Sequence, residues 1–177
     1  MGLIFLLEKY RVKKKIKELI EMKLMLKKSL VKTIEVFPNW EVQELILEDS
    51  ELIETLRQYL PNIMEGILDP DIAGKKPDGF LNALQSGRLG DFSKRYILTT
   101  YDNNKVIGLL VGLPEENENL HIYSMGVLRD YRNMGVGSTL LAKCINDMIR
   151  RNIDEVVLDV HSDNIPAYNL YKKLGFL

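Results

Sequence analysis

From residue 40 onward the apolar positions switch between a period of two and a period near 3.6, and each switch marks a new element. Residues 42–47 read as a first strand. Asp49 and Ser50 supply a cap for a helix over 51–60, which turns Leu52, Ile53, Leu56 and Leu60 inward. Residues 61–93 carry Pro61, Pro70, Pro77 and several glycines, which predicts loops around one short helix at 79–85. Residues 95–100 and 105–113, joined through Asp102-Asn103-Asn104, predict a hairpin. After a turn at Glu115-Glu116-Asn117-Glu118 comes a strand in which Leu120, Ile122, Ser124 and Gly126 share one face and His121, Tyr123, Met125 and Val127 the other. Leu140, Leu141, Cys144, Ile145, Met148 and Ile149 then fall at helical spacing, to an end near Asn152. Residues 155–160 alternate again, with Val156, Leu158 and Val160 on one face and Val157 and Asp159 on the other. Asn164 opens a last helix that stops at Gly175, a suitable C′ glycine.

The first 36 residues differ. Residues 3–34 contain no Gly or Pro, and Phe5, Val12, Ile16, Leu19, Leu26 and Leu30 can line one face of a helix with Lys13, Lys14, Lys17 and Lys28 elsewhere. The expectation is a basic amphipathic helical extension, 1–36, ahead of a domain spanning 37–177. Packing on that domain or on a second copy is the preferred use of such a helix. Contact with a membrane surface or with nucleic acid ranks behind it, and no interleaved aromatics support nucleic acid specifically.

Charge sharpens this division. Residues 1–35 hold ten Lys or Arg and four Glu, a net of +6, and the remainder holds 14 basic and 21 acidic residues, a net of −7. The length of 177 residues suits one domain with a real core, and 46% hydrophobic with 28% charged residues is ordinary for a globular protein. One cysteine excludes an internal disulfide, and two scattered histidines offer no metal-ligand spacing, so no metal is expected. The apolar run at 1–7 is too short to span a bilayer and lacks the basic start of a signal peptide, and Leu6 stands where a myristoylation signal wants Ser or Thr. These features read as a cytoplasmic protein.

The chemistry concentrates at residues 119–138, a strand, a polar turn with glycines and a helix. Such a turn brings unpaired N–H groups to the positive end of a helix dipole, which makes an anion site with phosphate as its usual guest. An ATP-type P-loop needs Gly-Lys-Ser/Thr, whereas Gly137 runs into Ser138-Thr139. A dinucleotide fingerprint finds Gly135-x-Gly137 and Asp159, but Leu140 fills its third glycine position and a long polar turn precedes Gly135. The pattern Arg/Gln-x-x-Gly-x-Gly/Ala is met in full by Arg132-Asn133-Met134-Gly135-Val136-Gly137. It resembles the acetyl-CoA pyrophosphate loop of the GNAT superfamily of N-acetyltransferases. Asn164-x-x-Ala167-x-x-Leu170-Tyr171-x-Lys173-x-Gly175-Phe176 is similar to that family's second signature at every defined position. The resemblance covers roughly residues 40–177, and its motifs lie between Met125 and Phe176.

What the resemblance implies is an α/β fold with a mixed, twisted sheet, an acetyl-CoA cosubstrate and an amine acceptor. It implies that the strands around 123–127 and 157–161 splay apart at a bulge, for which Gly126 is the suggested residue, and that the pantetheine arm enters the gap. Met125 and Val127 would offer backbone groups to pantetheine and the thioester, and residues 133–138, with Ser138 at the end, would hold the pyrophosphate. Asn164 joins the cofactor set by its place in the second signature. Arg129 and Arg132 are expected to face solvent around the phosphates. Tyr171 falls on the family's general-acid tyrosine, with Tyr168 one turn earlier on the same helix. Asp159, twelve residues before Tyr171, looks like the Glu that serves as base in the ribosomal-protein N-terminal acetyltransferase branch, one methylene shorter. It reads equally as a strand-end carboxylate held by hydrogen bonds. Glu116, Glu118 and Tyr123 are weaker candidates for that base. His121 and His161 are expected to be surface or edge histidines, and Cys144 to be buried and inert.

The function expected is acetyl transfer from acetyl-CoA to a primary amine of a small molecule, peptide or protein. A non-catalytic acyl-CoA-binding or assembly module is the alternative from another class, and a dehydrogenase would bind NAD without CoA. The resemblance puts acceptor choice in residues 52–92 and in a late hairpin. It also implies a further strand beside 155–160, so a sheet edge rich in Val156, Val157, Leu158 and Val160 is expected to stand open. Either the extension folds back over that edge or a second copy covers it, and a homodimer is the favoured expectation.

Overall fold

The computed structural model describes residues 23–30, 32–35, 40–69 and 76–177. Among the described residues the elements in chain order are β1 (Lys23–Ser29), β2 (Glu41–Glu44), α1 (Asp49–Ile63), α2 (Asp78–Gln85), a 3₁₀ turn (Phe92–Lys94), β3 (Tyr96–Asp102), β4 (Lys105–Pro114), β5 (Leu120–Val127), a second 3₁₀ turn (Arg129–Tyr131), α3 (Val136–Arg150), β6 (Glu155–His161) and α4 (Ile165–Lys173). The strands form one mixed sheet in the order β1-β6-β5-β4-β3-β2. Every neighbouring pair is antiparallel except β5 and β6. Among the described residues no helix is long and apolar enough to cross a membrane.

Helices cover both faces. Leu140, Leu141, Cys144, Ile145 and Met148 of α3 bury against Leu98, Leu110, Ile122 and Leu158 of the sheet. On the other face Leu52, Leu56 and Leu60 of α1 and Leu81 and Leu84 of α2 meet Ile97, Leu109 and Val111. The β3–β4 hairpin closes through Asn103 and Asn104, at φ of 46° and 66°, the left-handed pair that matches the twist of the strands. The helix at 51–60 is longer than expected. It starts after Glu48 without a side-chain cap and runs through Pro61, which has no N–H to give to the carbonyl four residues back, and it ends at Ile63. The first strand is shorter than expected, only Glu41–Glu44.

Two larger corrections concern the sheet. Residues 23–29 are a strand, not part of a helix, so the extension and the domain do not divide at residue 36. The rest of that expected helix, 3–22, lies outside the described residues. β1 pairs with β6 along all seven residues, from Lys23 against His161 to Ser29 against Glu155, and Leu26 enters the core with Val156, Leu158 and Val160. The edge of β6 is therefore closed by this chain's own strand. With that edge closed, no second copy is needed to cover it, and the expected reason for a homodimer is absent. On the far side of β1, Lys27 exchanges both main-chain hydrogen bonds with Leu177, at 3.1 and 2.8 Å.

The second correction is the bulge. The β4–β5 register shifts where Gly112 faces Ile122 and Val111 faces Ser124, so the extra residue is Tyr123, not Gly126. An inserted residue reverses the alternation beyond it. Leu120, Ile122 and Val127 accordingly belong to the α3 side, whereas Ser124 donates to Met64 Sδ on the α1 side. A Cβ on Gly126 would likewise point at Met64 and Ile63. The strict alternation expected along 120–127 holds only up to the bulge.

Candidate functional site

β5 and β6 stay paired for only three residues, Leu120 to Ile122 against Val156 to Leu158, and then separate. The gap opens into a cleft of about 420 Å³. Of the residues singled out from the sequence, Met125, Gly126, Val127, Arg132, Asn133, Gly135, Gly137, Ser138, Asp159, Asn164 and Tyr171 line it. Met134 and Val136 do not. Met134 is exposed and its carbonyl accepts from Trp40 Nε1, while Val136 turns into the core. Four residues of the 52–92 segment expected to govern acceptor choice, Gly66, Ile67, Leu68 and Asp69, none singled out by itself, form a wall of the cleft just past α1.

The strand end presents main chain to the gap. Leu128 N–H donates to Ile107 C=O at 2.8 Å, which makes Gly108–Val127 and Leu110–Met125 the pairs of the ladder that do not exchange hydrogen bonds. Main-chain groups of Met125 and Val127 therefore point away from β4, toward β6. The Val127 carbonyl is taken by Arg132 Nε at 2.9 Å, and the same guanidinium donates to the Glu65 carbonyl. Arg132 thus fastens the loop to the end of α1 instead of facing solvent. Arg129 is exposed.

At the start of α3, Asn133 and Gly135 adopt left-handed φ values of 62° and 85°. The first N–H used is that of Thr139, which donates to Gly135 C=O. Among the described residues no main-chain hydrogen bond uses the N–H groups of 133–138. Six donors at the positive end of a 15-residue helix make a strong anion cradle. Gly135 has nothing within 4 Å of a built Cβ, and Gly137 has Leu170 at 3.3 Å, so side chains there would fill the cradle or press on α4.

α4 borders the opposite side. Asn164 Oδ1 caps it by accepting from Ala167 N–H at 3.3 Å, and the Asn164 amide donates to Leu68 C=O at 2.9 Å, so this side chain ties α4 to the Gly66–Asp69 wall. Tyr171 is buried in the cleft floor against Phe176. Among the described residues its hydroxyl has no hydrogen-bond partner. Burial, with the nearby Asp69 charge, pushes its phenol up, which keeps the proton on it through neutral pH. Tyr168 packs on the core and does not line the cleft.

At the fork of β5 and β6 stands a chain of four charged side chains. His121 Nδ1 lies 2.9 Å from Glu115 Oε1, and His121 Nε2 lies 3.0 Å from Asp159 Oδ2. Lys23 Nζ reaches the same Asp159 oxygen at 3.0 Å. Facing carboxylates on both sides, the imidazole satisfies both only with a proton on each nitrogen. Burial works against that charge, but the hydrogen bonds to Asp159 and Glu115 outweigh it and raise the His121 pKa. Burial also works against the Asp159 charge, and hydrogen bonds from His121 and Lys23 outweigh it and hold this carboxyl below the usual range. His121 is therefore a buried member of an ion chain, stacked on Tyr123 at 4.2 Å, and not an edge histidine. Cys144 is fully buried, and burial pushes its thiol up, as expected of an inert side chain. Glu116 and Glu118 lie in the β4–β5 turn, away from the cleft.

A sequence model described as the acetyltransferase (GNAT) family matches residues 52–176. Over 57 residues the chain is 47% identical to an N-alpha-acetyltransferase of Sulfurisphaera tokodaii, a match covering 32% of this chain and 34% of that protein. The match thus spans about a third of that curated relative's length. Ard1 of Thermoplasma volcanium superimposes with a TM-score of 0.57 at 23% identity, over 78% of this chain and 82% of that one. The ribosomal-protein-S18-alanine N-acetyltransferase of Escherichia coli does so with a TM-score of 0.59 at 17% identity, over 77% and 78%. At those identities the likeness is one of fold.

Proposed function

The chain belongs to the acetyltransferase (GNAT) family, and on that premise we propose that it moves an acetyl group from acetyl-CoA directly to a primary amine of a small molecule, peptide or protein. The observation that carries this reading is the conjunction at one cleft of two surfaces with open donors and acceptors: the main chain of Met125 and the N–H of Val127 where β5 leaves β6, and the six N–H groups at 133–138 that no main-chain hydrogen bond uses among the described residues. The first suits an extended amide-bearing arm, which pairs with a strand as another strand would. The second suits a pyrophosphate. Their spacing on one loop and one strand asks for a ligand carrying both, and a CoA thioester does.

Acetyl-CoA supplies the activated acyl carbon when bound. In direct transfer a C–N bond forms as the C–S bond breaks. The amine gives up a proton, and the sulfur that leaves takes one. Tyr171, a buried phenol that retains its proton, is suited to supply the latter. Asp159 lines the cleft, as do Asp69 and Asp163, and it is the one at the fork of β5 and β6. Its lowered pKa makes it a weak base and a good hydrogen-bond acceptor, which favours a part in holding the amine while the proton leaves through water. The relatives named N-alpha-acetyltransferase support a peptide N-terminus as one acceptor class to try first.

The test is a panel of peptides, polyamines, aminoglycosides and amino acids incubated with acetyl-CoA, reading released thiol. Turnover on one class identifies the acceptor. CoA binding by calorimetry without turnover on any acceptor would favour a non-catalytic acyl-CoA-binding module, and absence of CoA binding would overturn the reading altogether.

A further inference from the structure

β1 lies outside the span that the family model matches, yet it delivers a charged group to Asp159, which lines the cleft. Lys23 stands at the first position of β1 and pairs in register with His161, while Asp159 pairs with Met25. Cross-strand partners share a face, and so do alternate residues of one strand. Lys23, Met25 and Asp159 are therefore on the same face of the sheet. The Lys23 ammonium closes on Asp159 Oδ2 at 3.0 Å, the same oxygen that His121 Nε2 holds at 3.0 Å. Oδ1 takes no hydrogen bond among the described residues. Asp159 is largely buried, and a carboxylate there held by one cation on a single oxygen can rotate about its χ2, which is a broad torsion. A second cation from a different strand on that same oxygen restricts the rotation and fixes which oxygen stays open.

We propose that Lys23 is a positioning residue of the acetyl-transfer site: with His121 it pins one oxygen of Asp159, leaving the other as the acceptor for an N–H of the incoming amine. The proposal rests on the acetyl-transfer reading above. It also gives β1 a second use. The strand that closes the sheet edge makes the geometry of the acceptor end depend on residues upstream of the family core. The groups that face Asp159 are Lys23 from β1 and His121 from β5, with Glu115 behind His121, and Asp69 and Asp163 line the same cleft.

The experiment compares Lys23→Met and Lys23→Arg with the unaltered protein in the full chain. Three quantities are read: acetyl-CoA affinity by calorimetry, the pH profile of kcat/KM for the amine found in the acceptor panel, and the His121 imidazole titration by NMR, assigned with His161→Gln. For Lys23→Met the expected result is CoA affinity within twofold of the original and kcat/KM down at least tenfold near neutral pH. The acid limb of the profile should move to higher pH, because Asp159 loses a cation that favours its charged form. The His121 titration should also move up, since a neighbouring positive charge is gone. Lys23→Arg should recover most of each change. A merely structural strand contact would lower stability and, through the lost charge, still move the His121 titration, but would leave kcat/KM and the acid limb of its profile where they were. If Lys23→Met turns over as before, whether or not the His121 titration moves, the proposal is overturned while acetyl transfer stands. If the unaltered protein acetylates nothing, the acetyl-transfer reading fails first, and any part for Lys23 in it falls too.

Discussion

Gly126 passes the end of α1 so closely that a Cβ built on it would lie 2.7 Å from Met64 Sδ and 2.8 Å from Ile63 Cγ2. The Ile63 carbonyl would be 3.0 Å away. Glycine at this position is a packing requirement: it lets the last turn of α1 lie on β5 and so places the Gly66–Asp69 wall beside the gap. Gly126→Ala should therefore destabilise by about 1–3 kcal/mol, as overpacking does, and lower the Tm by several degrees. Adding Met64→Ala should restore only part of the loss, because the flexible sulfur can be removed but the Ile63 main chain cannot. Differential scanning calorimetry on the single and double variants checks both statements.

The anion cradle makes a cleaner prediction at Gly137 than at Gly135. Gly135 sits at φ of 85°, so any side chain there adds backbone strain to whatever it does to a ligand. Gly137 has no such strain, and its Cβ would need Leu170 to give by only a few tenths of an ångström. Gly137→Glu should keep its circular dichroism spectrum and lose measurable acetyl-CoA binding by calorimetry, since it puts a negative side chain among N–H donors that await an anion. Gly135→Asp should lose binding as well, with a lower melting temperature. Undiminished affinity in both would remove the phosphate assignment.

Removing the Tyr171 hydroxyl should separate chemistry from binding. Tyr171→Phe keeps the ring against Phe176 and should leave acetyl-CoA affinity within twofold. Its turnover should fall by on the order of a hundredfold, the usual loss when a general acid is removed. Because the phenol holds its proton well past neutrality, the loss should be nearly constant from about pH 6 to 9, in single-turnover measurements of acetyl transfer. A variant as fast as the original would assign the proton to water or to another group.

Periodic elements with local stop signals were legible. The α3 face at Leu140, Leu141, Cys144, Ile145 and Met148 reads the same from spacing and from burial, and so does the turn at Asn103-Asn104. The Asn164 cap and Gly175, at φ of 86°, also needed only their neighbours in sequence. The failures share a cause. Leu24, Leu26 and Leu30 fit a strand as well as a helix, and what decides is the edge of β6, more than 120 positions away in sequence. The bulge at Tyr123 is a one-residue excess against β4, which leaves no compositional mark, whereas Gly126 drew attention for a reason that proved to be packing. Arg132 reads from its loop neighbours as facing solvent, whereas it lines the cleft with two of its donors on the carbonyls of Val127 and Glu65. His121 has apolar neighbours in the chain, Leu120 and Ile122, and charged ones in space, Glu115 and Asp159. Only the pairing of β1, β5 and β6 brings Lys23 and Asp159 to it.

That ion chain should leave a signature in the pH dependence of stability. The folded pKa of His121 is raised, so its contribution is complete below its ordinary value of about 6.5 and is lost as pH rises through the higher folded value. The folded pKa of Asp159 is lowered, so its contribution is complete above its ordinary value of about 3.9 and is lost as pH falls through the lower folded value. Between these limits both groups favour the folded state, and urea midpoints should be highest in that window. His121→Gln should be less stable there, and its midpoint should fall less on the alkaline side because no imidazolium remains to lose its proton. Asp159→Asn should flatten the acid side in the same way. Since both replacements break one chain of contacts, the double variant should cost less than the two single losses together. Midpoint curves for the original and His121→Gln that run parallel from about pH 5 to 9 would show that the imidazole carries no shifted charge, and strict additivity would show that the two residues do not share one network.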